Sequence, residues 1–457
     1  MASGSAEPGG SGPGPAGDGG ALLERIGRRS IGILGLTIVN AAVQFGLTIA
    51  LGRMLAPAGY GDLIAGMAAL GAGVNIAMLG SERSITRFLP EYLRRGDLRL
   101  AVGYLKFFLP LVLGLALAAA LIAEALHDTG VVRMVLRDRE ALSHPYIVAI
   151  WLIPLLAMAR LSARLLRGFR LYLFAVAPLQ IGAPLFLLLT ALAAHALGVR
   201  LTEPQVFILL GIGYLLALLT HLAVVPGFFR RSLREPGSYA IREWVALSLP
   251  MMVTAVLAGA MFQVDILMVE ILSPSETEAG HFAAAVRLCR PLGLPLAAML
   301  ILLPPLLGHI AGAADEAATR RRLFRWGCAV LLPANGLLLA GMALFPTEIL
   351  SLLGPDYADA APALVTVAAL EFLLGCCGLG LPLLQYANAQ RLVLWLSLTA
   401  LLLNIAGNAV LIPEMGGLGA AVASLVSYGG LALATTAIAI LRYGLLRKPG
   451  AGPALLR

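Results

Sequence analysis

Residues 28–61 read RRSIGILGLTIVNAAVQFGLTIALGRMLAPAGYG. Arg28 and Arg29 are followed by an unbroken apolar run from Ser30 to Gly52, then by Arg53 and the turn-forming Pro57-Ala58-Gly59. A helix rises ~1.5 Å per residue, so this run is long enough for a hydrocarbon core of ~30 Å. A basic cluster before an apolar run can mimic a secretory signal, but signal cores are only about 7–15 residues long. The run is therefore read as a first membrane helix, retained in the chain.

Outward from this stretch the same signal recurs. Apolar windows fall near residues 30–52, 61–81, 102–125, 145–163, 172–196, 205–227, 245–272, 280–311, 326–346, 360–384, 392–412 and 417–440. Of the 457 residues 59% are hydrophobic and 13% charged, with mean hydropathy +0.89. A soluble domain carries roughly 25% charge, so a water-soluble enzyme is excluded. The fold class is an all-α polytopic membrane protein with about twelve transmembrane helices. Residues 1–24 form a Gly/Pro-rich tail too poor in apolar surface to order itself. Residues 446–457 form a second tail.

The charge pattern tests the count. Lysine and arginine total 33 against 25 acids. With an amino terminus inside, 25 of the 33 fall on one side, among them Arg83, Arg87, Arg160, Arg164 and Arg167. Five fall on the other: Arg53, Arg133, Arg137, Arg139 and Arg200. Basic residues mark the cytoplasmic face, so both termini are expected in the cytoplasm and no nucleic-acid partner is implied. Cys289, Cys328, Cys376 and Cys377 have neither zinc nor CxxC spacing and read as small apolar residues. The opposite-side connections are short, the longest being roughly 127–144. Its Asp128, Asp138 and Glu140 alternate with arginines, the mark of a solvated segment rather than a catalytic pair. No phosphate loop, zinc-protease or nucleophile-elbow motif occurs.

Leu55-Ala56-Pro57 with Gly59-Tyr60 recurs as Leu272-Ser273-Pro274 with Gly280-His281-Phe282, six spans later. Six spans return the chain to the same side, so parallel repeats are expected, residues 25–235 and 236–445. Prolines inside the spans, such as Pro110, Pro184, Pro291 and Pro333, bend helices in a way membrane bundles tolerate.

Several segments carry a family resemblance. They are Leu51–Gly61; Gly80–Glu91 leading to Arg95-Gly96-Asp97; Phe345–Tyr357 with Ala360 and Ala361; Asn404–Asn408 with Leu411–Pro413 and Gly416–Ala421; and Ser248-Leu249-Pro250 with Asp265. In this order they resemble the polysaccharide-biosynthesis or O-antigen flippase family, whose superfamily also contains multidrug exporters and the lipid II flippase. The resemblance implies two six-helix lobes around a central cavity. It implies translocation of a polyprenyl-pyrophosphate-linked oligosaccharide across the cytoplasmic (inner) membrane by alternating access. A polysaccharide polymerase or glycosyltransferases are the implied protein partners. The twelve spans counted here are fewer than some members of that superfamily have, so no single branch supplies a substrate class.

Charged side chains inside a span cost about 2.5–3.5 kcal/mol on insertion scales and are tolerated facing a watery or paired interior. Arg287 and Arg290 share a helical face roughly 10–15 Å inside the start of the eighth span. They either bind pyrophosphate oxygens bidentately, or snorkel, or pair with Glu270 or Glu278. The resemblance adds Arg53, Arg83 and Arg87 to the same site; the alternatives are headgroup anchoring for Arg53 and orientation charges for the other two. Asn40, Gln44 and Asn75 either line the sugar path or pack. Asp265, with Gln263 close by, is the candidate for H+ or Na+ coupling, or for a structural bridge to an arginine. Glu371 is the second candidate for coupling. No cofactor or metal is expected. Asn404 and Asn408 read as residues that bind neighbouring helices. The competing functions are a cation-coupled multidrug antiporter and a membrane glycan transferase or ligase.

Overall fold

The computed structural model describes residues 16–128, 143–300, 316–386, 389–443 and 445. In chain order the helices are α1 (Ala16–Ala77), α2 (Ser81–Arg95), α3 (Leu98–Asp128), α4 (Ser143–Trp151), α5 (Ile153–Gly168) and α6 (Tyr172–Ala177). They continue as α7 (Ala183–Ala196), α8 (Glu203–Val224), α9 (Gly227–Ser232), α10 (Ile241–Leu272) and α11 (Thr277–Cys289). The last six are α12 (Glu316–Leu344), α13 (Pro346–Ser351), α14 (Ala361–Cys377), α15 (Gly380–Tyr386), α16 (Gln390–Ser424) and α17 (Gly430–Tyr443). The described residues contain no strand.

Nine helical runs among the described residues are long and apolar enough to cross a membrane. Two have double length, Leu34–Ala77 with 44 residues and Arg391–Tyr443 with 53. A straight helix of 44 residues would be ~66 Å long, twice the hydrocarbon thickness. Each bends at one non-helical residue instead: Ala56 (φ 55°, ψ 173°) and Gly416 (φ 57°, ψ −135°). The bend in α1 has a local cause. Pro57 disfavours α geometry in the residue before it and offers no N–H to continue the ladder. Counting each bent run as two passes, and adding the 32-residue α10, gives the twelve passes read from the sequence.

Helix α1 begins at Ala16, inside the stretch 1–24 assigned to an unordered tail; Ala21-Leu22-Leu23-Glu24-Arg25 are good helix formers. Residues 1–15, the 129–142 segment with its mixed charges, 301–315 with Pro304 and Pro305, and 446–457 lie outside the described residues.

The two lobes meet where α10 and α11 pack on α1. Within the first lobe α5 packs on α2, α3 and α8; within the second, α14 packs on α11, α12 and α16. Two π turns interrupt this scaffold, Pro178–Gly182 between α6 and α7 and Leu425–Gly429 between α16 and α17. Pro184 explains the first, since it has no N–H to offer the carbonyl of Gln180.

Candidate functional site

A cavity of about 650 Å³ lies between the lobes. The first arm of α1 contributes Asn40, Gln44 and Thr48 to its wall, spaced four apart and therefore on one face. The second arm contributes Ile64 and Met67, α10 Gln263, α14 Glu371, and α11 with the turn after it Arg287 and Arg290. A second compartment of about 350 Å³ shares Asn40, Gln44, Thr48, Arg160, Tyr214 and Arg287, and reaches on to Glu82, Arg164, Arg167 and Gln180. The shared residues make the two one continuous hollow.

Arg287 leaves the last turn of α11 and directs Nη2 at the Met67 sulfur, 3.8 Å away. A 3-10 turn, Arg290–Gly293, with Pro291 as its second residue, follows the helix end, and Arg290 lines the same hollow. Among the described residues neither arginine forms an ion pair within 4.0 Å. Glu278 is engaged elsewhere, accepting the Gly417 N–H at 2.8 Å.

The sequence placed Arg160, Arg164 and Arg167 among orientation charges at the end of a span, 145–163, and just past it. Helix α5 instead continues to Gly168, and all three line the hollow. Their spacings of four and three were the available signal, since those spacings put them on one face. Glu82, in the first turn of α2, lies 3.2 Å from Arg164 and 3.9 Å from Arg160. Arg160 also donates to Asn75 Oδ1 at 2.9 Å. Tyr214 and Gln180 are further wall residues that the sequence did not single out, and Gln263, noted there only as a neighbour of Asp265, is another. Gln180 comes from the first π turn.

Of the residues expected at the site, the structure brings together Arg287, Arg290, Asn40, Gln44 and Glu371. Asn75 touches the site only through Arg160. Arg83 and Arg87 are not among the residues lining the hollow, and Arg87 is exposed on α2. Arg53 lies beside a separate small cavity, and its Nε donates to the Leu352 carbonyl at 2.7 Å.

That contact belongs to a seam closing one end of the hollow. Tyr357 Oη donates to the Gly52 carbonyl at 3.1 Å, and His281 Nε2 donates to the Asp356 carbonyl at 2.9 Å. Backbone meets backbone between Pro57 and Gly280, so the two copies of the repeated motif touch each other. The lobes also meet towards the arginine-rich end. Ser248 Oγ of α10 donates to Ser84 Oγ of α2 at 2.7 Å, and Trp244 Nε1 to Tyr92 Oη at 2.8 Å.

Asp265 stands apart from the hollow, 8% exposed inside the second lobe. Asn408 Nδ2 donates to Oδ1 at 2.7 Å and Ser424 Oγ to Oδ2 at 2.5 Å. Asn404 Nδ2 donates to Ser424 Oγ at 3.0 Å. The arginine bridge considered from the sequence is absent among the described residues; neutral donors surround the carboxylate. Tyr428, in the second π turn, has a buried hydroxyl without a hydrogen-bond partner among the described residues.

Several solved structures titled as transporters resemble this architecture. One is titled a lipid II flippase MurJ in an inward closed conformation, at TM-score 0.67 and 12% identity over 89% of this chain and 87% of that one. Another is an inward-facing multidrug resistance MATE family transporter of the MOP superfamily, at TM-score 0.66 and 14% identity over 91% and 99%. The MATE multidrug transporter DinF-BH follows at TM-score 0.60 and 17% identity over 94% and 98%. At these identities the likeness establishes the fold, a multi-pass transporter fold of two lobes. No curated relative matches the sequence significantly. The sequence model described as polysaccharide biosynthesis protein matches residues 26–306. That match covers more than half of the sequence, from the start of the first pass through the helix that carries Arg287 and Arg290, and the chain belongs to the polysaccharide biosynthesis protein family.

Proposed function

We propose that the protein is a flippase that carries a polyprenyl-pyrophosphate-linked oligosaccharide, a surface-polysaccharide precursor, across the cytoplasmic membrane by alternating access. The observation that carries this reading is the pair Arg287 and Arg290, in the hollow between the lobes and without an ion-paired carboxylate among the described residues. Two planar guanidiniums match the oxygens of a diphosphate bidentately. Asn40 and Gln44 hydrogen-bond sugar hydroxyls, and the lipid tail stays in the bilayer. Family membership and the fold shared with a lipid II flippase support the reading.

Both termini face the cytoplasm in this scheme, and no covalent chemistry is required of the protein. A polymerase or glycosyltransferases would supply and consume the cargo. Asp265, with its donors Asn408 and Ser424, is the candidate for H+ or Na+ coupling, and Glu371 in the hollow is the second. The multidrug-antiporter reading is disfavoured because five arginines and two glutamates line the hollow among its described residues, which repels cationic drugs. The test is Arg287→Ala/Arg290→Ala. Membrane insertion is retained, surface glycan is lost, and the lipid-linked precursor accumulates on the cytoplasmic leaflet. Normal glycan export in this variant refutes the assignment.

A further inference from the structure

The flippase reading uses Arg287 and Arg290, which leaves three arginines of the same hollow unexplained. Arg160, Arg164 and Arg167 occupy one face of α5 and continue the line of positive charge away from Arg287. From Arg160 to Arg167 the helix rises ~10 Å, so a diphosphate held at Arg287 and Arg290 does not cover the length of this line. Charge counting points the same way. Five guanidiniums and two carboxylates, Glu82 and Glu371, leave an excess of three positive charges among the described lining residues. A sugar-linked polyprenyl diphosphate brings two negative charges.

A carboxylate already shows how this face receives an acid. Glu82 Oε2 sits 3.2 Å from Arg164 Nη2, and Oε1 sits 3.9 Å from Arg160 Nη1, the nitrogen that also donates to Asn75 Oδ1. Glu82 reaches in from the first turn of α2, directly after the left-handed residues Leu79 (φ 46°) and Gly80 (φ 72°). At Gly80 the chain packs against the Ser248 carbonyl and the Met252 backbone of the opposite lobe, and the Ser84 hydroxyl bonds Ser248 Oγ. The residue that neutralises the arginines is thus tied to the contact joining the lobes at that end.

We propose that Arg160, Arg164 and Arg167 form a second anion subsite, which receives an acidic group of the transported glycan, such as a uronate carboxylate or a sugar phosphate, in exchange for Glu82. The substrate class is then a lipid-linked oligosaccharide with at least one acidic sugar. Displacing Glu82 releases the first turn of α2 from α5, so arrival of the acidic sugar loosens the α2–α10 contact. This inference rests on the diphosphate reading of Arg287 and Arg290 and deepens it.

The experiment uses the full-length protein in lipid nanodiscs and two probes, a short-chain polyprenyl diphosphate carrying either a glucose–glucuronate or a glucose–glucose disaccharide. The unsubstituted protein should bind the acidic probe roughly tenfold or more tighter than the neutral one, the worth of a charge-assisted hydrogen bond. In Arg164→Gln/Arg167→Gln the ratio of the two affinities should fall to one. In Glu82→Gln, near-isosteric and free of any loss of arginine, the ratio should rise because the competing carboxylate is gone. Equal binding of both probes by the unsubstituted protein overturns the subsite and leaves the diphosphate reading standing. A ratio that is unchanged or lower in Glu82→Gln overturns the exchange. Binding of neither probe overturns the diphosphate reading and the subsite with it.

Discussion

Replacing Gly280 by alanine should tip the molecule away from the state in which the α1 bend is sealed. A Cβ on Gly280 would strike the Pro57 carbonyl oxygen, with the Pro57 carbonyl carbon at 2.6 Å and its Cα at 3.0 Å. Every one of these atoms is backbone, so no side chain can swing aside. Overpacking of this kind costs about 1–3 kcal/mol. The clash exists only where the two lobes touch, so the whole cost falls on the sealed state and lowers its weight about 5- to 150-fold. The assay is the yield of a short bifunctional thiol cross-link between Arg53→Cys and Leu352→Cys, positions joined here through Arg53 Nε and the Leu352 carbonyl. The four native cysteines are replaced by alanine in the parent. Gly114→Ala, inside α3 with nothing within 4 Å of its added Cβ, is the control and should leave the yield alone. An undiminished yield in folded Gly280→Ala would refute the claim that backbone contact at Pro57 defines the seal.

Other expectations follow from the same geometry. Gly416→Ala puts a side chain at φ 57° with its Cβ 2.5 Å from Glu278 Oε2; a loss of about 1–3 kcal/mol should appear as a lowered melting temperature in detergent. Trp244→Phe strands the Tyr92 hydroxyl at the arginine-rich end and should cost about 1–3 kcal/mol, read from thermal unfolding. Asp265→Asn should leave insertion intact while abolishing any dependence of glycan translocation on a Na+ or H+ gradient. Retained gradient dependence would remove Asp265 from the coupling scheme.

The passes were readable because each needs its own apolar length, and that requirement is local. The form of their joints was not. Residues 53–60 read as a turn between separate spans, whereas α1 runs through them with one non-helical residue at Ala56. The cavity was half readable. Arg287 and Arg290 stood out because they interrupt an apolar run. Arg160, Arg164 and Arg167 escaped because a span was expected to stop at its first cluster of charge, and a watery wall removes that penalty. Asn404 and Asn408 were legible as residues that grip a neighbouring helix, and they bond Ser424 and Asp265 respectively. No periodicity could have named those partners, since Asp265 and Asn408 are 143 positions apart.

The bend at Ala56 makes the first two passes a single elbow. An ordinary connecting loop is slack and lets neighbouring rods tilt independently. With one residue of irregular backbone there is almost no slack, so any tilt of the limb bearing Asn40 and Gln44 is handed directly to the limb bearing Met67. The cargo-facing surfaces of both limbs then reorient as one lever, with Gly280 resting at its fulcrum.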